Sequence, residues 1–584
     1  MSEAVDNAAG CGDRIALKLK GMQNQAAAIQ KEPARRETPA AKTSQDRSGW
    51  TGLRAKAMTP GGTGGAGIEA CPKAERTPAG NVSHGNPESE KWQPWLERAG
   101  TLERLDAKLC SGEAIGKQAE AELRYARAML LCQLGRTQEA RAEHLKVVSL
   151  DPAHQRNLNA LGLLLAVTGQ RKAALIALAE AVKHHPQSAS SRVNYGGVLL
   201  AERDAASAAV AREQFQAALG IDPEMPQAHA GMYYALTRLG ETEAAAYHQR
   251  LGFHRKNFFT NVYRGSAPPI PVLLLVSSSG GNTPVEKLLD DTVFQTYVVV
   301  ADFYDPANPL PAHRMVVNGI GDVEVSRPAL VAAESLLALT PAPVLNPPTA
   351  VMATGRPETA ERLGGIPGVV TPATRTFRYA ELAAADGYRV LLDHGFRFPL
   401  LLRVPGFHMG EHFAKVDAPG ELADAVAGLP GAGRAEAQLL AIEYLNARGA
   451  DGYCRKYRVM MVDGELYPLH LAVSPHWKIH YFSSDMADQA GHRAEEARFL
   501  ADMPGVLGAK AMESLRTLQA AMGLDYGGID FGVGPEGDIL LFEANATMVV
   551  QHPDEGEMWD YRRAAVNRIH AAVHQMFLRR AGAA

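Results

Sequence analysis

Residues 527–548 read GGIDFGVGPEGDILLFEANATM. One apolar stretch carries a single acid, Asp530, and a second carries Glu543 and Asn545 two residues apart. The Gly/Pro run from Val533 to Gly537 between them spells a turn, so the stretches read as a hairpin. Residues two apart share a face of a strand. Pairing would therefore set three oxygen-bearing side chains at inner positions, a donor set for a hard cation. A solvated surface hairpin is disfavoured, because the run DILLFEANATMVV is too apolar to hold unpaired acids cheaply.

Basic residues at strand ends precede this hairpin. In RFPLLLRVPGFHMGEHFAKVD, a strand over 398–404 ends in Arg403, its cation pointing outward. A loop with Gly406 and Gly410 follows, and HFAKV returns as a strand. Glycines let backbone N–H groups approach an anion and the cation neutralises it, so this unit can fold over phosphates. Further on, a strand-like IEYL precedes two strands around a VDGE turn. Arg458 opens the first of these, His470 lies in the second and Lys478 follows, so three basic groups are expected to project from one sheet.

The elements that must position these groups begin near residue 265. PVLLLV, a Gly-rich turn, a helical pattern and TYVVVADFYD read as β-α-β, hence a parallel α/β sheet. The GGN at 280–282 lacks the GxGxxG spacing of a dinucleotide site. A third strand near PAPVLNPP ends at Asn346-Pro347-Pro348, and a helix and a strand follow it. Upstream, prolines 152, 186 and 223 mark a period of about 34 residues, and Leu161, Gly162, Leu165, Ala174, Leu178, Ala181 and Pro186 repeat as Tyr195, Gly196, Leu199, Ala211, Phe215, Ala218 and Pro223. This stretch resembles tetratricopeptide repeats. About four units from residue 121 are expected, after a capping helix around 92–118, with a three-residue insertion near RDAASAA. Such a solenoid usually holds a peptide or protein partner in its groove. The first 90 residues, rich in Pro, Gly, Ser, Thr and charge, read as a disordered tail. The expected domains are thus 1–90 tail, 91–258 α-solenoid, 265–350 α/β substrate domain and 351–584 α+β domain.

Taken together, the ordered set from NPP through LLLR, the glycine loop, IEYL and the basic hairpin to D…ExN resembles the ATP-grasp fold. This is the fold of glutathione synthetase, D-alanine–D-alanine ligase and the ribosomal-protein glutamate ligases. The resemblance covers about 270–575. It implies ATP as substrate, with Mg²⁺, in two ions, held by Asp530, Glu543 and Asn545. It implies that Arg356 in ATGR and Arg403 grip phosphate with Gly406 and Gly410. Glu443 and the Tyr444 and Leu445 backbone would meet the nucleotide, and Arg458, His470 and Lys478 would face the triphosphate and an acyl phosphate. Both phosphate-binding lysines of the family are arginines here, which keeps the charge and adds a bidentate grip.

The implied reaction is ADP-forming ligation of a carboxylate to an amine, with a peptide or protein substrate recruited by the repeats. Two alternatives stand beside it: a small-molecule ligase, and a nucleotide-binding scaffold without turnover. GxSxG, HExxH and P-loop motifs are missing. A net charge of −4 argues against a nucleic-acid binder, and no apolar run reaches the roughly 18 residues that span a membrane. Five scattered cysteines and a start without a signal-peptide pattern point to the cytoplasm.

Overall fold

The computed structural model describes residues 93–111, 116–406, 411–431, 437–479, 481, 484–553 and 556–583, with side chains from residue 98. The tail expected to be disordered lies outside the described residues. The chain forms two compact units: Met1–Pro271 with Leu289–Val298, and Val272–Leu288 with Val299–Ala584.

The first unit is the α-solenoid. After helix α1 (Gln93–Cys110) come α2 (Lys117–Gln133) with α3 (Thr137–Leu150), α4 (Gln155–Val167) with α5 (Arg171–His184), α6 (Ala189–Leu200) with α7 (Ala205–Ile221), and α8 (Pro226–Leu239) with α9 (Thr242–His254). Leu158, Leu161, Leu165, Ala174, Leu178 and Ala181 close the α4–α5 core. Gly162 makes that packing possible, since a Cβ there would lie 2.5 Å from Leu178 Cγ. The insertion does not open a loop: α7 has 17 residues where α3 and α5 have 14, so one helix lengthens. A short strand, β1 (Phe258–Thr260), ends this run.

In the second unit β2 (Ile270–Val276), β4 (Met315–Asn318) and β5 (Val344–Leu345) pair in parallel. One expectation is corrected here. Only a 3₁₀ turn, Val285–Lys287, stands where a helix was expected between β2 and β3 (Phe294–Val300). Pro284 has no N–H to give, and Asp290 soon caps the next turn by accepting from Thr292 N at 2.9 Å. Helix α10 (Val323–Leu337) is kinked at Ser326, two residues before Pro328. Helices α11 (Pro348–Met352) and α12 (Arg356–Leu363) lead to β6 (Val369–Val370).

Two further sheets follow. The first is antiparallel, ordered β7 (Thr374–Arg378), β10 (Gln438–Glu443), β8 (Leu400–Arg403), β9 (Phe413–Val416). Helices α13 (Tyr379–Ala383), α14 (Gly387–Asp393) and α15 (Leu422–Ala427) bury its apolar face around Leu382, Leu391, Leu402 and Leu439. The second runs β12 (Glu465–Ser474), β11 (Cys454–Val462), β13 (Tyr526–Val533), β14 (Ile539–Asn545), β6. Against it pack α16 (Ala490–Ala501), α17 (Met503–Met522) and α18 (Arg563–Arg580). Tyr457 stacks on Phe531 at 5.4 Å and meets Phe499 of α16 at 5.1 Å, which marks the face turned to the core. The expected order, solenoid then α/β then α+β, is the order observed. No helix among the described residues is long and apolar enough to cross a membrane.

Candidate active site

The face of the last sheet opposite Tyr457 and Phe531 carries the charged groups. Strand register sets Arg458 opposite both His470 and Asp530, and Asp530 opposite Glu543. Four neighbouring strands thus lay His470, Arg458, Asp530 and Glu543 in one row. Register shifts follow immediately after Arg458 and after Asp530. Bulges of this kind re-aim side chains and are common beside functional sites. Asn545 lies two residues beyond Glu543, opposite Gly528.

Asp530 is buried and held by two cations. Arg458 donates to it from Nε at 2.5 Å and Nη2 at 2.7 Å, and Lys456 from Nζ at 3.0 Å. Burial alone would raise its pKa, but Arg458 and Lys456 more than offset that and hold the carboxyl well below the usual range. Lys456 was missed in the sequence. Its signal was there: it precedes Arg458 by two residues and so shares its face. His470 is pushed well below the usual imidazole range by burial and by the charge of Arg458, so it is neutral at pH 7. Its Nδ1 is buried without a hydrogen-bond partner among the described residues. Its ring packs 4.9 Å from that of Tyr481, whose hydroxyl donates to the fully buried Glu496 at 2.9 Å.

Arg356 is the first residue of α12, the end of a helix that disfavours a cation. Two carboxylates compensate: Nη1 pairs with Glu324, and Nη2 with Glu543 Oε1 at 2.5 Å. Glu324 also escaped the sequence reading, because an acid in the first turn of a helix passes for ordinary capping. Its Oε2 accepts from Gly406 N at 2.8 Å. Arg403 does not point outward. It is 8 % exposed, lies over the Phe413 ring at 5.8 Å, and has its pKa lowered by burial and by Arg356. Gly410 lies outside the described residues.

At the end of β10, Glu443 binds Ala373 twice, donating from N to its carbonyl at 2.8 Å and accepting from its N–H at 3.0 Å. Tyr444 follows, its ring under Lys415 Nζ at 4.7 Å and 6.3 Å from Trp477; Leu445 is half-buried. Lys478 does not join the basic row. It lies beyond β12 in a loop and donates to the Phe413 carbonyl at 3.4 Å. The sheet itself therefore presents Lys456, Arg458 and His470.

An open cleft is lined by Asp322, Glu324, Arg356, Glu543, Asn545 and Thr547. The donors suit a hard divalent cation: two carboxylates and one amide oxygen, on adjacent strands. No three His, Cys, Asp or Glu side chains among the described residues gather as metal ligands, so the set depends on the amide. Asn545 Oδ1 accepts from Thr547 N at 3.0 Å and Thr547 Oγ1 at 2.9 Å, bonds that a bound cation would have to share or replace. Upstream, Asn346 fixes where β13 begins. Its Oδ1 accepts from Tyr526 N at 2.9 Å and its Nδ2 donates to Tyr526 O at 2.7 Å.

No protein-family model and no curated protein matches the chain. Solved structures similar to the N-terminal region include the MamA RS-1 ArsTM double mutant, 23% identical over 28% of this chain and 90% of that one, TM-score 0.24. Similar over about half the chain is the RimK domain protein ATP-grasp from Sphaerobacter thermophilus, 16% identical, covering 53% of this chain and 98% of that one, TM-score 0.32. The D-alanine–D-alanine ligase from Coxiella burnetii is 12% identical, covering 54% and 96%, TM-score 0.34.

Proposed function

We propose that the second unit is an ATP-dependent carboxylate–amine ligase that forms ADP, with a peptide or protein substrate recruited by the solenoid. One observation carries this reading: the row His470, Arg458, Asp530, Glu543 lies across four strands, with Asn545 beside it and Arg356 bound to Glu543. Asp530, Glu543 and Asn545 would hold Mg²⁺, which when bound supplies charge neutralisation at phosphoryl oxygens. Arg356 and Arg403 bind and orient the phosphates. Arg403, stripped of water, is strongly attracted to an anion. Glu443, Tyr444 and Leu445 hold the base end.

A substrate carboxylate oxygen bonds to the terminal phosphorus as the bond to ADP breaks. The amine nitrogen then bonds to the acyl carbon, phosphate leaves, and the nitrogen loses a proton. Arg458 and Lys456 stabilise the negative charge that builds up along the row. His470, held well below the usual imidazole range, stays neutral and is a weak base, so the departing phosphate takes the proton. The chemistry is chiefly positioning and electrostatics.

ADP release measured with candidate peptides and small amino acids tests the reading. Stimulation by peptides supports it, and stimulation by small acids or amines alone selects a small-molecule ligase. Tight Mg-ATP binding without release under any acceptor would leave a nucleotide-binding scaffold. Asn545→Ala should abolish metal-dependent release while circular dichroism stays unchanged. Full activity in that variant would remove the metal assignment.

A further inference from the structure

The proposed function gives Arg356 to phosphate, and the sequence places the Gly406 loop beside it as a second phosphate contact. In the structure one carboxylate of the chain already holds both. Glu324 pairs through Oε1 with Arg356 Nη1 and through Oε2 accepts from Gly406 N at 2.8 Å, the length of a charge-assisted bond. A carboxylate that bridges a guanidinium and a loop N–H makes the bonds a phosphate oxygen would make there.

The backbone at Gly406 is shaped for this contact. Its φ is +77°, in the left-handed region, and a Cβ would stand 2.7 Å from Val325 Cγ1, the residue next to Glu324. Glycine is needed at 406 to bring the loop against the first turn of α10. That turn is itself fixed, because Asp322 Oδ1 accepts from Glu324 N at 2.8 Å and Ser326 Oγ donates to Gly280 O at 2.7 Å. Glu324 is thus carried on a rigid turn and lines the same cleft as Glu543 and Asn545.

We propose that Glu324 is an internal competitor for the phosphate site: its carboxylate occupies Arg356 and Gly406 N–H, and nucleotide must displace it to bind. This rests on the ATP reading above. The competent fraction of the protein is the fraction with Glu324 swung away, and apparent affinity is reduced in proportion to it. A role in merely positioning Arg356 predicts the opposite sign, since removing the carboxylate would then weaken nucleotide binding.

Calorimetric titration of wild type, Glu324→Gln, Glu324→Asp and Glu358→Gln with Mg-ATP and with inorganic tripolyphosphate separates the two. Glu358 is an exposed acid paired with Arg327 and controls for general loss of negative charge. Competition requires Glu324→Gln to bind both probes roughly tenfold tighter, about the factor one charge-assisted hydrogen bond carries. Glu324→Asp, too short to bridge both partners, should fall between, and Glu358→Gln should match wild type. Tighter binding by Glu324→Gln, even where wild type binds too weakly to measure, supports the proposal. Equal or weaker binding by Glu324→Gln and Glu324→Asp, with wild type binding ATP, overturns it and leaves the ATP reading standing. No binding by any variant removes the ATP reading and the competition together.

Discussion

The pairing of Lys456 with Asp530 can be tested by a double-mutant cycle of Lys456→Met and Asp530→Asn. Their charged atoms are 3.0 Å apart, with side-chain exposures of 15% and 4%. At that distance and an effective dielectric of about 20 the attraction is about 5.5 kcal/mol. Desolvation of two largely buried ions offsets most of it, leaving an expected coupling of about 1–3 kcal/mol. The cycle with Arg458→Met should give the larger value, because Arg458 makes two bonds to the same carboxylate. Native-state hydrogen exchange at β11 and β13 amides, in chelator, reads the free energy locally. The pH dependence has a definite sign. Asp530 is held below its ordinary pKa, so its contribution is complete above the unfolded value of about 3.9 and is lost as pH falls below that. Coupling should be flat from about pH 5 to 8 and shrink in acid. Losses in the double variant that equal the sum of the single losses within about 0.5 kcal/mol would refute the pairing.

Gly162→Val should destabilise the solenoid by about 2 kcal/mol through overpacking against Leu178, whereas Gly220→Ala, with nothing within 4 Å of its Cβ, should stabilise it by about 0.5 kcal/mol. Thermal unfolding followed by circular dichroism checks both; an unchanged midpoint in Gly162→Val would contradict the close approach. Burial pushes the Cys132 thiol up to about 11, so at pH 8 iodoacetamide should label exposed Cys110 and spare Cys132, whose labelling rises only as pH nears 11. Peptide mass spectrometry reads the outcome, and equal labelling at pH 8 would sink it.

The closing hairpin was legible because period-2 apolar runs flank a Gly/Pro turn, and the solenoid because its prolines and small residues recur. The row across four strands was not. It depends on register and on two bulges, and neither leaves a mark in local composition. Lys456 was within reach from its spacing to Arg458. Glu324 was not, since only the folded chain brings an acid at residue 324 to Arg356 and Gly406. Lys478 was assigned to the sheet by nearness in sequence, but the chain leaves β12 before reaching it. The helix expected after β2 failed for a local reason: a proline and a capping aspartate leave room for a single 3₁₀ turn.

The amide of Asn346 stands in for a length of neighbouring strand. It receives from and gives to the backbone of one residue, Tyr526, as a paired strand residue would. Neither aspartate nor leucine can do both, as one lacks the donor and the other lacks everything polar. Where Asp530 falls along its strand is thereby phased from far upstream. A one-residue slip at this clasp would turn Asp530 toward the aromatic face and scatter the row.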